Sequence, residues 1–219
     1  MDVRQLLYPI GFIATFLFAT RFIIQWVQSE AQGKSVVLPS FWIVSLLGNG
    51  VLCLHTFIQV QYPFCLIQAL NAVLAWRNLN LQSEKRVSFS TVLLLLGAVS
   101  ALITLLFVVQ GLFFFGFIDW IRSPTIPWEE GTGHPISLSW HIFGFVGALI
   151  FALRFWLQWW SAEKKGESYI GPAFWWMSLI GASLALIYFS VMRDWVNIAG
   201  YGLGIVPYAR NLILLRKQS

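Results

Sequence analysis

Residues 89 to 117 contain no charged side chain. At 1.5 Å of rise per residue, a helix of about 20 such residues already crosses the ~30 Å hydrocarbon core of a bilayer. This run therefore fixes the solvent in which the rest of the chain must fold. Hydrophobic residues make up 58% of the 219 positions and charged ones only 11%. Charges this scarce cannot cover a water-facing surface without leaving apolar patches that soluble monomers rarely expose. Six further apolar stretches, 8–27, 40–58, 63–81, 140–160, 172–191 and 195–215, are separated by short polar connections. The expected fold class is an all-α polytopic membrane protein with seven transmembrane helices. No small-residue cleavage pattern follows the first stretch, so it reads as a retained span. Cys53 and Cys65 lie inside apolar segments without metal-like spacing and read as small packing residues.

The last three spans repeat the first three at a constant offset of 133 positions, with no gap. Arg21 aligns with Arg154, Gln25 with Gln158, Glu30 with Glu163, Gly33 with Gly166 and Ser35 with Ser168. The register continues through Pro39/Pro172, Phe41/Phe174, Trp42/Trp175, Ser45/Ser178, Gly48/Gly181, Arg77/Arg210 and Asn78/Asn211. About 23 of 74 aligned positions are identical, and polar residues scattered through an apolar background do not coincide this way by chance. The expected organisation is a first three-helix repeat at 1–86, a linker helix at 87–118, an external loop at 119–138 and a second repeat at 139–219. Three helices end on the opposite side from where they began. The fourth restores the direction, so the repeats are parallel and related by an axis along the membrane normal.

Orientation follows from the basic residues. Lys34, Arg77, Lys85, Arg86, Lys164, Lys165, Arg210, Arg216 and Lys217 fall on one side, against Arg4, Arg122 and Arg193 on the other. This bias places the C-terminus in the cytoplasm and the N-terminus outside. The net charge of +5 thus reports membrane orientation and not nucleic-acid binding.

Arg21 and Arg154 carry most of the functional information. Each lies about eight residues inside its helix end, roughly 12 Å deep. A charge at that depth costs at least ~2.5–3.5 kcal/mol, so it needs a partner or a water-filled cavity. Two readings follow, an internal clamp on backbone or carboxylate and a site for an anionic ligand such as phosphate, which the guanidinium fork suits. Gln25 and Gln158, one turn further on, extend the polar stripe. Gln68 and Asn71 line one face of the third helix, and Tyr201 is the repeat mate of Gln68. These seven are the candidate ligand-binding residues. Glu30 with Arg77, and Glu163 with Arg210, are expected to form structural ion pairs, one inside each repeat. Asn78 and Asn211 are expected to cap helix ends. Trp26, Trp159, Trp42, Trp175, Phe41 and Phe174 read as interfacial anchors and His55 as a packing residue. Glycines at 200, 202 and 204 with Pro207 make the last span a candidate for bending or close packing. No catalytic constellation, cofactor motif or metal-ligand set is evident, and Glu129, Glu130 and His134 share the external loop without a recognisable pattern.

The string from Arg21 through Gln25, Trp26 and Glu30, then Gly33-Lys34-Ser35 and Pro39-Ser40-Phe41-Trp42, resembles the lipid A biosynthesis N-terminal domain family. The second copy carries Arg154, Gln158, Trp159, Glu163, Gly166, Pro172 and Phe174-Trp175, with Glu167 replacing Lys34. Arg77-Asn78-Leu79 and Arg210-Asn211-Leu212 resemble the family's closing motif. That family is similar to the group containing SWEET sugar transporters and PQ-loop transporters, which implies a three-plus-one-plus-three helix arrangement. Neither copy carries a clear Pro-Gln pair, so no PQ-loop mechanism transfers. In some bacteria a similar module precedes lipid-A-disaccharide synthase, but spans and loops occupy all 219 residues here, and no catalytic domain is expected among them. The resemblance implies a bacterial inner membrane location, membrane lipids and an anionic lipid-linked or phosphorylated substrate as ligands, and a glycosyltransferase as partner. The leading expectation is a carrier or flippase-like protein for an envelope lipid precursor. The alternative is a non-transporting module that anchors or feeds a glycosyltransferase.

Overall fold

The computed structural model describes residues 3–32, 38–128, 136–166 and 170–216, with the side chains of 26, 29, 30, 32 and 214–216 outside that description. A short helix α1 (Val3–Leu7) precedes seven long ones: α2 (Ile10–Gln32), α3 (Pro39–Ile58), α4 (Tyr62–Leu81), α5 (Phe89–Gln110), α6 (Leu138–Lys165), α7 (Pro172–Met192) and α8 (Trp195–Arg216). Pro39, Pro63 and Pro172 sit in the first turns of α3, α4 and α7, where a missing N–H leaves no helix bond unmade. Ser88 caps α5 by accepting from the Thr91 amide at 3.2 Å. The fourth span differs from expectation at its end. Its α-helix stops at Gln110, continues as a π-helical turn at Gly111–Phe115, and closes on Gly116 at φ 73°.

Among the described residues, five of the long helices are apolar enough to cross a membrane by length and composition. The exceptions are α4 and α8, the third helix of each unit. Their polar positions explain the difference, since Gln68, Asn71, Arg77 and Asn78 of α4 and Asn197 of α8 are all buried among other helices.

The helices close into a ring. Contacts run α2 to α3 to α4, across to α6, on to α7 and α8, and back to α2, with α5 packed outside α4. Exchanging α2, α3 and α4 for α6, α7 and α8 maps this pattern onto itself. The duplication is visible in detail as well. Val60 and Arg193, 133 positions apart, are the two non-glycine residues with left-handed backbone among the described residues, at φ 59° and 55°. Each ends the second helix of its unit. A methyl group on Gly48 would stand 2.7 Å from the ring of Phe18, and one on Gly181 2.6 Å from the backbone of Phe151. The same glycine thus brings the first two helices of both units together. Equivalent ends of the units meet, because Gln61 Nε2 donates to Asp194 Oδ2 at 3.3 Å where α3 meets α4 and α7 meets α8.

The segment after α5 folds back on the first unit. Gln61 and Ile121 form an isolated β-bridge, and Tyr62 N donates to Trp120 O at 2.8 Å. Gln59 accepts from Thr125 N at 3.0 Å and donates to Arg4 O at 2.8 Å. Glu129, Glu130 and His134 lie outside the described residues.

Candidate functional site

Inside the ring is a cavity of about 50 Å³, a few times the ~10–15 Å³ that one water requires. Arg21 of α2 and Arg154 of α6 both line it, although only 3% and 1% of each is exposed. Arg21 donates Nη1 to Ser45 Oγ at 2.9 Å, while its Nε has no protein partner. Nε and Nη1 of Arg154 have none. Neither guanidinium forms an ion pair among the described residues.

Aromatic rings surround the two charges. Arg21 Cζ lies 4.9 Å from the Phe18 ring, 4.6 Å from Phe22 and 4.9 Å from Phe41. Arg154 Cζ lies 3.4 Å from Phe151, 4.6 Å from Phe155 and 5.1 Å from Phe174. The two sets are repeat mates at offset 133. Phe155 faces both cations, since its ring centre is also 5.8 Å from Arg21 Cζ. Each desolvated ring face contributes ~0.5–2 kcal/mol. That softens a burial cost of several kcal/mol without neutralising either charge. Two like charges facing one cavity also repel each other. The arrangement is a cationic pocket built from equivalent residues of the two units.

This finding corrects the reading of the aromatic residues as interfacial anchors. Trp42, Trp175, Phe41, Phe174 and Trp159 are all buried, and Phe41 and Phe174 stack on the arginines. The Trp26 side chain lies outside the described residues.

Gln68, Asn71 and Tyr201 line the cavity with the arginines, as do Thr15, Asn49, Asn197 and Tyr208. Asn71 Oδ1 lacks a partner. Gln25 and Gln158 are buried but are not among the cavity-lining residues. Gln158 instead exchanges two bonds with Asn78 of α4, at 2.7 and 3.1 Å, so that asparagine ties the units together and does not cap a helix end. Asn211, expected as the second cap, bonds its own helix at Pro207 O, 2.8 Å away.

The ion pairing also differs from expectation. Arg77 grips Glu163 with Nε to Oε1 at 2.6 Å and Nη2 to Oε2 at 2.9 Å. Trp159 Nε1 donates to the same carboxylate at 2.7 Å, and Arg77 Nη1 is held by Asn80 Oδ1 and Val87 O. The partner of Arg77 is Glu163 of the other unit, not Glu30 of its own. The Glu30 side chain lies outside the described residues, and Arg210 is exposed at the rim of a crevice between α2 and α8.

One buried carboxylate escaped the sequence reading. Asp194, fully buried, accepts from Tyr8 Oη at 3.1 Å, Gln61 Nε2 at 3.3 Å and Asn197 Nδ2 at 2.9 Å. Its donors are neutral. The neighbouring His55 ring is equally buried, with neither nitrogen hydrogen-bonded. Asn197 joins this cluster to the arginine cavity. The available signal was the alignment of Gln61 with Asp194, which places both at one turn.

A ring of two equivalent three-helix units around a cationic cavity defines a membrane-helix module of duplicated origin. The chain belongs to the Lipid A Biosynthesis N-terminal domain family, whose pattern matches twice, at residues 10–80 and 143–213. It is 39% identical over 219 residues to a lipid-A-disaccharide synthase of Chlamydia felis (strain Fe/C-56), covering 100% of this chain and 35% of that protein. Proteins of the same name in Chlamydia caviae and Chlamydia trachomatis serovar D are 36% and 37% identical over 98% and 97% of the chain, covering 34% and 35% of those proteins. The chain thus spans about a third of the length of these relatives. No solved structure matches it.

Proposed function

We propose that this protein binds the phosphate of an anionic envelope lipid precursor between Arg21 and Arg154 and carries it across or within the bacterial inner membrane for lipid A biosynthesis. The observation that carries this reading is the pair of buried guanidinium groups around one cavity, without carboxylate partners among the described residues. A cavity of about 50 Å³ suits a headgroup phosphate and not a whole glycolipid. Phosphate oxygens would meet the unpaired N–H groups, with Gln68, Asn71 and Tyr201 as neutral hydrogen-bonding neighbours. Family membership supports the link to lipid A. We take the chain as repeats 1–86 and 139–219 around a linker helix at 87–118 and an external loop at 119–138. In this reading seven spans form a three-plus-one-plus-three arrangement, with the N-terminus periplasmic, and the parallel repeats rock about the site. Reconstitution into proteoliposomes with a polyprenyl phosphate tests it. Flux should fall at least tenfold in the Arg21→Gln/Arg154→Gln double variant. Undiminished flux in that variant, correctly folded, would overturn the carrier reading.

A second reading is favoured by the relatives, in which a chain similar to this one along nearly its whole length makes up a third of a protein named lipid-A-disaccharide synthase. Here the module holds the lipid for a glycosyltransferase and moves nothing by itself. Adding the purified chain to a disaccharide synthase should then raise product formation on membrane-embedded acceptor, with no flux in proteoliposomes.

A further inference from the structure

The two seams where the units meet are built from equivalent positions and end in different surroundings. At α4–α6, Leu70 and Val73 belong to the packed interior, with Val73 only 7% exposed. At α2–α8 their identical mates Leu203 and Val206 face outward, with Val206 74% exposed. The cause is α5, the one long helix without a mate. It packs on α4, places Val92 and Leu96 in the same cluster as Val73, and stacks Phe89 on Trp159 of α6 at 5.4 Å. The Arg77–Glu163 and Asn78–Gln158 bonds bind the same seam. Among the described residues, no equivalent of α5 covers α2–α8.

The uncovered seam contains an apolar crevice of about 220 Å³, walled by Ala19, Phe22 and Ile23 of α2 and by Leu203, Val206 and Pro207 of α8. Phe22 also lines the arginine cavity, so its ring borders both spaces. Its edge meets Tyr208, the neighbour of Pro207, with centroids 5.2 Å apart. Pro207 has no N–H to give the Leu203 carbonyl, which weakens α8 at the level of this contact. Arg210 and Asn211 also line the crevice.

We propose that the α2–α8 seam is a lateral port, through which the acyl chain of a phosphorylated lipid stays in the bilayer while its phosphate sits between Arg21 and Arg154. This inference rests on the anion-site reading and adds to it the class of substrate and its route. Bilayer tails are as apolar as the crevice wall, so the chain gains little affinity by lying there. The headgroup supplies the affinity, and the port leaves the room the chain needs while the headgroup is seated. A free phosphate in water would not need the port, whereas a lipid phosphate would.

That difference separates the two claims experimentally. The full chain, purified in detergent, is titrated with inorganic phosphate and with dioleoyl phosphatidic acid, the latter read by native mass spectrometry. Wild type should bind both. Val206→Trp, which fills the crevice away from the arginines, should keep phosphate binding and lose at least tenfold in phosphatidic acid binding. Equal phosphatidic acid binding by wild type and Val206→Trp would overturn the port and leave the anion site standing. Wild-type protein that binds neither probe would overturn the anion site and the port together. Phosphatidic acid carrying a diazirine at its chain end provides a test on unaltered protein. Labelling should concentrate on Ile23, Leu203 and Val206, and labelling spread evenly over α5 and α7 would contradict the port.

Discussion

Arg154 is a charge that folding alone would not retain. Its guanidinium is buried with two nitrogens lacking partners, and among the described residues no carboxylate pairs with it. Replacing buried charge with an apolar side chain of similar volume is often stabilising, on the order of 1–4 kcal/mol. Arg154→Met should therefore raise the thermal stability of ligand-free protein while lowering phosphate affinity at least tenfold. Loss of stability with unchanged affinity would identify a structural clamp. Asp194 should behave in the opposite way. Asp194→Ala strands the donors of Tyr8, Gln61 and Asn197 and should cost about 3 kcal/mol by thermal unfolding, with Asp194→Asn near half of that. At this scale the sequence revealed residues whose chemistry conflicts with an apolar helix. Arg21 and Arg154 stood out, as did Gln68 and Asn71. Asn197 and Asp194 did not, because polar residues at the end of a span read as ordinary interface chemistry until the ring brings them inward. Tyr208 and the arginine-stacking phenylalanines were hidden for the converse reason, since aromatic residues are expected everywhere in such a chain.

The α4–α6 clasp holds the two units together at one seam. Glu163→Ala removes the bidentate partner of nearly buried Arg77 and should destabilise by about 3–5 kcal/mol, whereas the Arg77→Met/Glu163→Met pair should recover most of that in a double-mutant cycle. Arg193, exposed and left-handed at the end of α7, offers a gain. Arg193→Gly should stabilise by roughly 0.5–1 kcal/mol, because glycine adopts that backbone without the side-chain penalty. The helices and the duplication were legible from the 133-residue register, including the turns at Val60 and Arg193. The partner of each charge was not. Equivalent residues recur at equal spacing, so the sequence describes a pair inside each unit and a pair exchanged between units equally well. Only the cyclic order of the helices selects the exchanged form.

For the whole molecule, the bias in basic residues predicts an orientation that labelling can check. With a membrane-impermeant maleimide on intact spheroplasts, Ser137→Cys should react and exposed Ser83→Cys should react only after permeabilisation. The native Cys53 and Cys65 lie against each other, 3.5 Å apart, with Cys65 buried. The reverse pattern would invert the topology. The membrane class and the number of long helices could be read from apolar runs alone. The inequality of the two seams could not, since Leu70 and Leu203 are the same residue, as are Val73 and Val206, and only the position of α5 distinguishes them.

Native mass spectrometry of the chain extracted gently from its own bilayer addresses the cationic cavity directly. Wild type should retain a phosphorylated lipid, and the Arg21→Gln/Arg154→Gln variant should lose it while remaining folded. Retention of the same lipid by both proteins would contradict the anion site.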